Sequence, residues 1–474
     1  MKAQMAMPMM PDRARMLRHR SSLWLAPAFA LASVSAPAWA AFFQIAEQSA
    51  SGIGNAFAGG AAIAEDASTV WYNPAGMTRL AGPQFIVGGS YIRPSFTANV
   101  LSASTVIGAP IGGGGGDAGV DAFVPNLYAT YPISRRFTLG AGVNAPFGLV
   151  TDYNDTWAGR YHALRSDIKT VNINLAAAFK FNDALSVGLG ANHQNLQAEL
   201  TQAVDFATLC NAGALLGLGS AGCGAGGGFT HPNNPNDGNA KVTAKGDAWG
   251  YNAGIFSQLG ATRVGLAYRS QMKYKLDGSF DITAPANVPS ALLTDPNFRL
   301  VDSAASADVT LPSTLSLSAV LETKGPWAFM ADLTRTNWSV LPELRIKFDS
   351  GQKDQVVTFN LKDVYRYSMG VTYRPNDSWV LRTGIALDRS PVTSPADRTP
   401  RLPDSDRRWL SLGAGVRASQ SVYFDVAYTY IRLTDSSVQK TDGGVGTENA
   451  FRGNLSANYT GSVQIFSAQV RWAF

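Results

Sequence analysis

The stretch TGSVQIFSAQVRWAF, residues 460–474, closes the chain and decides the fold. Gln464, Phe466, Ala468, Val470, Trp472 and Phe474 fall on one face of a period-two pattern, which is the pattern of a strand. A last strand that ends on a terminal Phe is the feature that barrel-assembly machinery recognises in bacterial outer-membrane proteins. The same alternation recurs upstream. Val422, Phe424, Val426, Tyr428 and Tyr430 oppose Asp425, Ala427 and Thr429, and Trp379, Leu381, Ile385 and Leu387 oppose Arg382, Gly384 and Asp388. Leu311, Leu315, Leu317 and Leu321 oppose Thr314, Ser316 and Ser318, and Val171, Ile173, Leu175 and Phe179 oppose Asn172, Asn174 and Lys180. Strands of about 10 residues with one apolar face and one polar or small face suit a barrel whose outside meets lipid.

Extended along the chain, the pattern predicts fourteen strands, near 83–99, 120–132, 135–147, 165–181, 184–203, 243–259, 261–281, 308–323, 326–348, 353–375, 378–391, 406–418, 420–434 and 460–474. Short links such as Asn182-Asp183, Lys324-Gly325 and Ala418-Ser419 alternate with long ones, except for a tight link near Asp349-Ser350-Gly351. Short periplasmic turns and long external loops are the outer-membrane arrangement. Trp249, Trp327, Trp379, Trp409 and Trp472 lie near strand ends, where an interfacial aromatic girdle is expected.

Composition agrees. Of 474 residues 46% are hydrophobic and 15% charged, below the quarter or so usual in soluble domains. That excludes a disordered chain, a coiled coil and a nucleic-acid-binding arm. It also argues against a helical transporter, which needs several apolar runs of about 20 residues. Lys2, Arg13, Arg15, Arg18 and Arg20 face only Asp12 in residues 1–40, so the rest is nearly neutral, with 34 bases to 33 acids. Those forty residues read as a secretory signal: a basic region to Arg20, an apolar run from Leu23 to Val34, and Ala38-Trp39-Ala40 before the cut. Cys210 and Cys223, with twelve residues between them, are the only cysteines. An even pair in an exported chain suggests a disulfide, worth roughly 3 kcal/mol for a loop of that size.

Residues 41–82 lack the alternation and are rich in small residues. A segment that short cannot bury a core of its own, and the lumen of a fourteen-stranded barrel is wide enough to need a plug. Its run FQIAEQSASGIGNAFAGGAAIAEDASTVWYNPAGMTRL, with Asn73, Pro74 and Ala75, resembles the N-terminal hatch of the FadL family of outer-membrane hydrophobic-compound transporters. GVNAPFGL (142–149), DAWGYNAGIFSQLGATRVGLAYRS (247–270), LRTGIALDRSP (381–391) and PDSDRRWLSLGAG (403–415) resemble the same family. The resemblance implies an all-β fold: a monomeric, 14-stranded antiparallel transmembrane barrel over residues 83–474, plugged by a hatch over 41–82. It implies passive carriage of long-chain fatty acids, or of aromatic or alkane hydrocarbons, with no cofactor or metal. Outer-membrane lipid, lipopolysaccharide and the assembly machinery, met through Phe474, are the expected partners.

The resemblance also assigns places for the ligand. The loop from Asp205 to Asp237 holds no charge between its ends but contains Leu209, Leu215, Leu216, Leu218 and Phe229, so it is expected to capture apolar molecules. Phe42 and Phe43, beside the new N-terminus, with Phe147 and Leu149, are expected to line a lumenal pocket. A kink in the third strand, at Gly142 and Pro146, would open the wall sideways, since proline removes a ladder donor and glycine weakens pairing. Apolar parity changes across Pro342, and a bulge there would turn Arg345 and Lys347 inward to hold an anionic head group. No second basic residue lies near Gln202 to share that task. Gly217-Leu218-Gly219-Ser220-Ala221-Gly222 matches GxGxxG but lacks the flanking strand and helix of a dinucleotide site. His162, His193 and His231 lack metal spacing and no GxSxG occurs, so the chain reads as a non-enzyme, with a general porin as the alternative.

Overall fold

A computed structural model describes residues 42–215, 237–286, 288–294, 299–444 and 446–474. The expected signal segment, with Leu216, Leu218, Cys223 and Phe229, lies outside the described residues. Fourteen strands are laid out in chain order. They are β1 (Gln84–Ser104), β2 (Ala122–Pro132), β3 (Phe137–Asn144, resuming as Gly148–Asp152), β4 (Arg165–Asn182) and β5 (Leu185–Asp205). Then come β6 (Asp237–Leu259), β7 (Thr262–Arg269 and Met272–Thr283), β8 (Ser303–Leu311 and Thr314–Glu322), β9 (Trp327–Thr336 and Glu343–Phe348) and β10 (Gln355–Thr358 and Val364–Tyr373). The last are β11 (Trp379–Asp388), β12 (Arg407–Arg417), β13 (Val422–Leu433 and Ser436–Lys440) and β14 (Asn454–Ala473). Each pairs antiparallel with its sequence neighbours, and β14 returns to β1 from Gln84↔Ala473 to Ser104↔Asn454, closing the barrel.

The alternation sorts residues across the wall. Phe123, Leu175, Leu189, Trp249, Met369 and Ile385 point outward and are largely exposed, while Asn126, Asn172, Asn192, Ser411 and Thr429 point inward and are buried. Trp249, Trp327 and Trp379 sit on the outer surface as expected, but Trp409 is buried on the lumenal face with Ile431 and Leu433. Several strands outrun the membrane. The 23 residues of β6 make about 75 Å of strand against an apolar band of about 25 Å.

The lumen is filled by residues 42–80, folded as α1 (Ala50–Gly54), α2 (Gly60–Ile63), α3 (Thr69–Tyr72) and a 3-10 turn over Pro74–Arg79. The Asn73-Pro74-Ala75 motif is the joint of this hatch. Asn73 caps the turn by accepting from Ala75 N (3.1 Å), and its Nδ2 donates to Ala61 O (2.7 Å) and to Ile255 O of β6 (3.0 Å). Gly188 on β5 and Gly254 on β6 make room for it, since a Cβ at either would overlap Ala75 N or Asn73 Oδ1. Polar bonds tie the rest to the wall: Arg382 pairs with Asp425 (2.7 Å) and Glu65 (3.1 Å), and Ala61 N donates to Ser318 Oγ (2.9 Å). On β4–β6 the lumenal face carries a hydrogen-bonded asparagine cluster. Asn172 donates to Asn144 (3.0 Å), and Asn174 and Asn192 both donate to Asn252 (3.0 Å each).

Candidate functional site

The first described residues run along the broken part of β3. Asn144 is opposite Asn172 and Gly148 is opposite Lys169, so β3 uses one residue more than β4 between these pairs. Pro146 cannot donate, and the displaced backbone finds partners in the hatch rather than in β2. Ile45 N donates to Pro146 O (2.8 Å), Gly148 N to Phe43 O (3.0 Å), and Gln48 Nε2 to Ala145 O (3.0 Å). On the other side β2 pairs with β3 only up to Leu127↔Val143, leaving Ala122–Asn126 without a partner on β3. The wall is therefore interrupted until the single bridge Gly119↔Thr151. Gly142, named with Pro146 for the kink, lies inside the paired ladder opposite Tyr128. A Cβ there would press on the Tyr128 ring, so it serves close packing, and the break begins after Asn144.

A cavity of about 350 Å³ occupies the interruption. Its lining includes inward-facing Phe43, Phe147 and Leu402 and also Phe123, Val143 and Val171, which are exposed on the outer surface. The same space is thus reached from the lumen and from the lipid side. Beside it stands an aromatic cage. The Phe42 ring lies 5.2 Å from Trp338 and 5.4 Å from Phe359, and Phe43 lies 5.2 Å from Trp338 and 5.8 Å from Phe147. Leu149 packs on the edge of this cluster, so Phe42, Phe43, Phe147 and Leu149 lie together. Trp338 is fully buried, and its indole N–H has no acceptor among the described residues. Phe42 adopts a left-handed φ of 46°. Its N–H donates to Asp404 (3.2 Å) and its carbonyl accepts from Arg407 (2.6 Å), which also pairs with Asp404 (2.8 Å).

A larger cavity, about 720 Å³, lies at the external end, bounded by Leu209, Phe280, Phe348, Gln202 and Arg452. Leu209 and Cys210 are buried there, on the helix Phe206–Leu215, against Phe206, Val288 and Leu292. Of Leu215 only the helical backbone is described.

Arg345 and Lys347 do not face the cage. Leu344, Ile346 and Phe348 pack inward, leaving Arg345 bound by Glu343 (2.7 Å) and Asp354 (3.2 Å) at the rim of the external cavity, with 42% of its side chain exposed. Lys347 is exposed and paired with Asp308 (3.2 Å). The inward assignment fails because strand parity does not change at Pro342. Thr336 and Ile346 both face inward; what reverses is the environment. Below Pro342 the outer face meets lipid and is apolar, whereas above it the outer face meets water and the inner face is apolar.

The basic residue near Gln202 comes from far away in sequence. Arg401 reaches across to Gln202 Oε1 (2.8 Å), Thr201 O (3.0 Å) and Ser166 Oγ (3.3 Å). It is buried with no carboxylate at ion-pair distance among the described residues, and burial pulls its guanidinium below the ordinary arginine value. Its neighbour Leu402 belongs to the cage and its partner Gln202 to the external cavity. Asp404 and Arg407 lay inside the 403–415 stretch singled out in the sequence, but nothing local marked them as anchors for Phe42.

A barrel closed by a hatch, with an apolar cavity opening through its side, defines an outer-membrane transport protein. Residues 31–474 match the family described as outer membrane protein transport protein (OMPP1/FadL/TodX). The chain is 34% identical over 419 residues to the long-chain fatty acid transport protein of Escherichia coli K12, covering 85% of this chain and 90% of that one. It is 32% identical over 454 residues to outer membrane protein P1 of Haemophilus influenzae, covering 92% and 95%. Among solved structures it is similar to a Pseudomonas aeruginosa FadL homologue, with a TM-score of 0.80 at 24% identity, covering 92% of this chain and 100% of that one. The Ralstonia pickettii toluene transporter TbuX shares the fold, with a TM-score of 0.61 at 17% identity over 88% and 98%. The chain belongs to the OMPP1/FadL/TodX family.

Proposed function

We propose that this protein carries long-chain fatty acids inward across the outer membrane by diffusion, with no energy source. The external cavity beside Leu209 takes the ligand from outside, with the loop that holds Leu215, Leu216, Leu218 and Phe229 stapled by Cys210 and Cys223. The cage around Trp338 receives the chain as Phe42 and Phe43 yield, and the ligand leaves sideways between β2 and β3. The observation that carries this reading is the 350 Å³ cavity lined from both sides of the wall, set above a lumen filled by the hatch and the asparagine cluster. An apolar chain loses nothing by entering lipid there, whereas continuing downward would strip the polar lumenal groups of their hydrogen-bond partners. At about 0.8 kcal/mol per buried methylene, a sixteen-carbon chain gains on the order of 10 kcal/mol gross on capture, part of which the lost freedom of the ligand offsets. Arg401 is the residue we assign to the carboxylate.

The test is uptake of labelled oleate by cells that lack their own outer-membrane fatty-acid transporter, with and without this protein. Protein-dependent uptake supports the proposal; an assembled barrel with no uptake overturns it. A second reading, an uncharged hydrocarbon as ligand, is favoured by one feature: Arg407, the base at the cage, is already committed to Asp404 and Phe42. Uptake of toluene but not oleate would select it.

A further inference from the structure

Most outward-facing cations at the external end of the wall are answered by acids. Lys241 pairs with Glu199 (2.8 Å), Lys169 with Asp167 (2.9 Å) and Lys347 with Asp308 (3.2 Å). Two of those without a close ion pair stand opposite one, Lys245 facing Asp277 and Lys275 facing Asp308, whereas Lys273 faces Thr310. One place goes further and sets two cations against each other. Arg408 on β12 is directly opposite Arg432 on β13, an arrangement of like charges that destabilises a sheet. Both are exposed, and among the described residues neither has a salt bridge or a side-chain hydrogen bond. Of the acids close by in sequence, Asp406 holds Arg389 (2.9 Å) and buried Asp404 holds Arg407 (2.8 Å), while exposed Asp435, in the link after β13's first segment, makes no ion pair with either arginine.

Their position on the wall is defined by their neighbours. Trp409, Ile431 and Leu433 are buried on the lumenal face, so Arg408 and Arg432 leave on the outer one. Below them on that outer face come Leu410 and Tyr430, then Leu412 and, further down, Val426, all exposed. The pair therefore stands at the upper edge of the lipid-facing belt, at the height of the outer-leaflet head groups. A third exposed arginine, Arg93 on β1, is opposite Gln464, which is opposite Tyr430. That puts it two strands, about 10 Å, along the wall from β13. It too has no ion pair among the described residues.

We infer that Arg408 and Arg432, supported by Arg93, form a binding site on the outer wall for the phosphate of an outer-leaflet lipid of lipid A chemistry. Guanidinium groups bind phosphate through paired N–H donors, and a phosphate between the two removes the repulsion that the bare pair leaves. Acyl chains of the same molecule lie on Leu410, Leu412 and Val426, a contact that a free phosphate cannot make.

The full-length protein in detergent is titrated with diphosphorylated lipid A, with dephosphorylated lipid A and with inorganic phosphate. Three forms are compared: wild type, Arg408→Gln/Arg432→Gln, and the control Lys245→Gln/Lys275→Gln. The expected result is roughly tenfold weaker lipid A binding in the arginine variant, binding within twofold of wild type in the lysine control, and dephosphorylated lipid A bound by wild type no better than lipid A is by the arginine variant. Undiminished lipid A binding by the arginine variant overturns the site. An equal loss in the lysine control overturns it in favour of general surface charge, and inorganic phosphate binding as tightly as lipid A overturns the lipid assignment. Should the double variant assemble poorly, Arg432→Gln alone carries the same readout. In lipid-free micelles it should also unfold no sooner than wild type, because it removes the like-charge contact.

Discussion

The wall is broken on β3 between Asn144 and Gly148 and on β9 between Thr336 and Glu343, and the two breaks are filled differently. Each contains a proline, Pro146 or Pro342, that cannot donate to a ladder. On β9 the excursion is a 3-10 turn over Trp338–Val340, and the Trp338 side chain, 0% exposed, plugs the space the strand has left. On β3 the break's own Phe147 turns into the cage, and among the described residues no side chain of the wall closes the gap to the lipid side. Apart from Phe147, whose N–H and carbonyl bond the Thr170 hydroxyl of β4, the backbone hydrogen bonds go to residues 43–48, and a cavity remains that reaches the lipid side. On the proposed route, an interrupted strand serves as a doorway where its filling belongs to another segment. Here that segment is the start of the hatch, whose withdrawal the proposed route requires.

Closing the β3 break should have the largest effect. β3 spends four steps between Asn144 and Gly148 where β4 spends three between Asn172 and Lys169. Deleting Ala145 and replacing Pro146 by Val equalises the counts and restores the missing donor. Oleate uptake is expected to fall at least tenfold while the barrel still migrates as a folded, heat-modifiable species on gels; uptake at the wild-type level would mean the ligand leaves elsewhere. Opening the β9 break is the converse. Trp338→Ala should cost about 3–5 kcal/mol, as removal of a fully buried indole does, and should raise ionic conductance in planar bilayers. Urea unfolding and single-channel recording read the two effects, and a variant as stable and as tight as wild type would show that Trp338 is not the filling.

The two breaks were not equally legible in the sequence. Where one strand face meets lipid and the other the lumen, period two is clean, and β4, β11, β13 and β14 follow it closely. The rule loses its meaning above the membrane, where the apolar face turns inward; that reversal misplaced Arg345 and Lys347. It also hid Trp409, whose inward side chain packs on the hatch rather than on lipid. Pro146 marked the β3 break because a missing donor is a local property. Arg401 left no local signal, since its partners Ser166, Thr201 and Gln202 lie about 200 residues earlier and meet it only in the closed barrel.

A third prediction asks whether both breaks serve one ligand. Arg401 lies between the external cavity and the cage, its charge set among neutral oxygens. A buried cation without a counter-ion is costly, and a bound carboxylate would supply one through charge-assisted hydrogen bonds worth about 1.5–3 kcal/mol. Arg401→Gln keeps hydrogen-bonding capacity but removes the charge. Oleate should bind roughly tenfold more weakly, with toluene binding unchanged. An equal loss for both ligands would mean that the substitution disturbs the fold of the 392–405 loop, not the recognition of a head group.

The smallest effect is expected at Arg345, and it sharpens the same question. Its guanidinium already holds Glu343 and Asp354, and the pairs are exposed enough that solvent screens them. Ion pairs of this kind contribute about 0–1 kcal/mol, and a ligand carboxylate would have to displace one acid to bind the same donors. Arg345→Gln should therefore leave oleate and toluene binding within twofold of wild type, read by the same titration as Arg401→Gln. If oleate binding instead falls at Arg345 and holds at Arg401, the head group is read at the external rim. The cage around Trp338 then sees only the hydrocarbon tail, and the committed state of Arg407 ceases to count against a fatty acid.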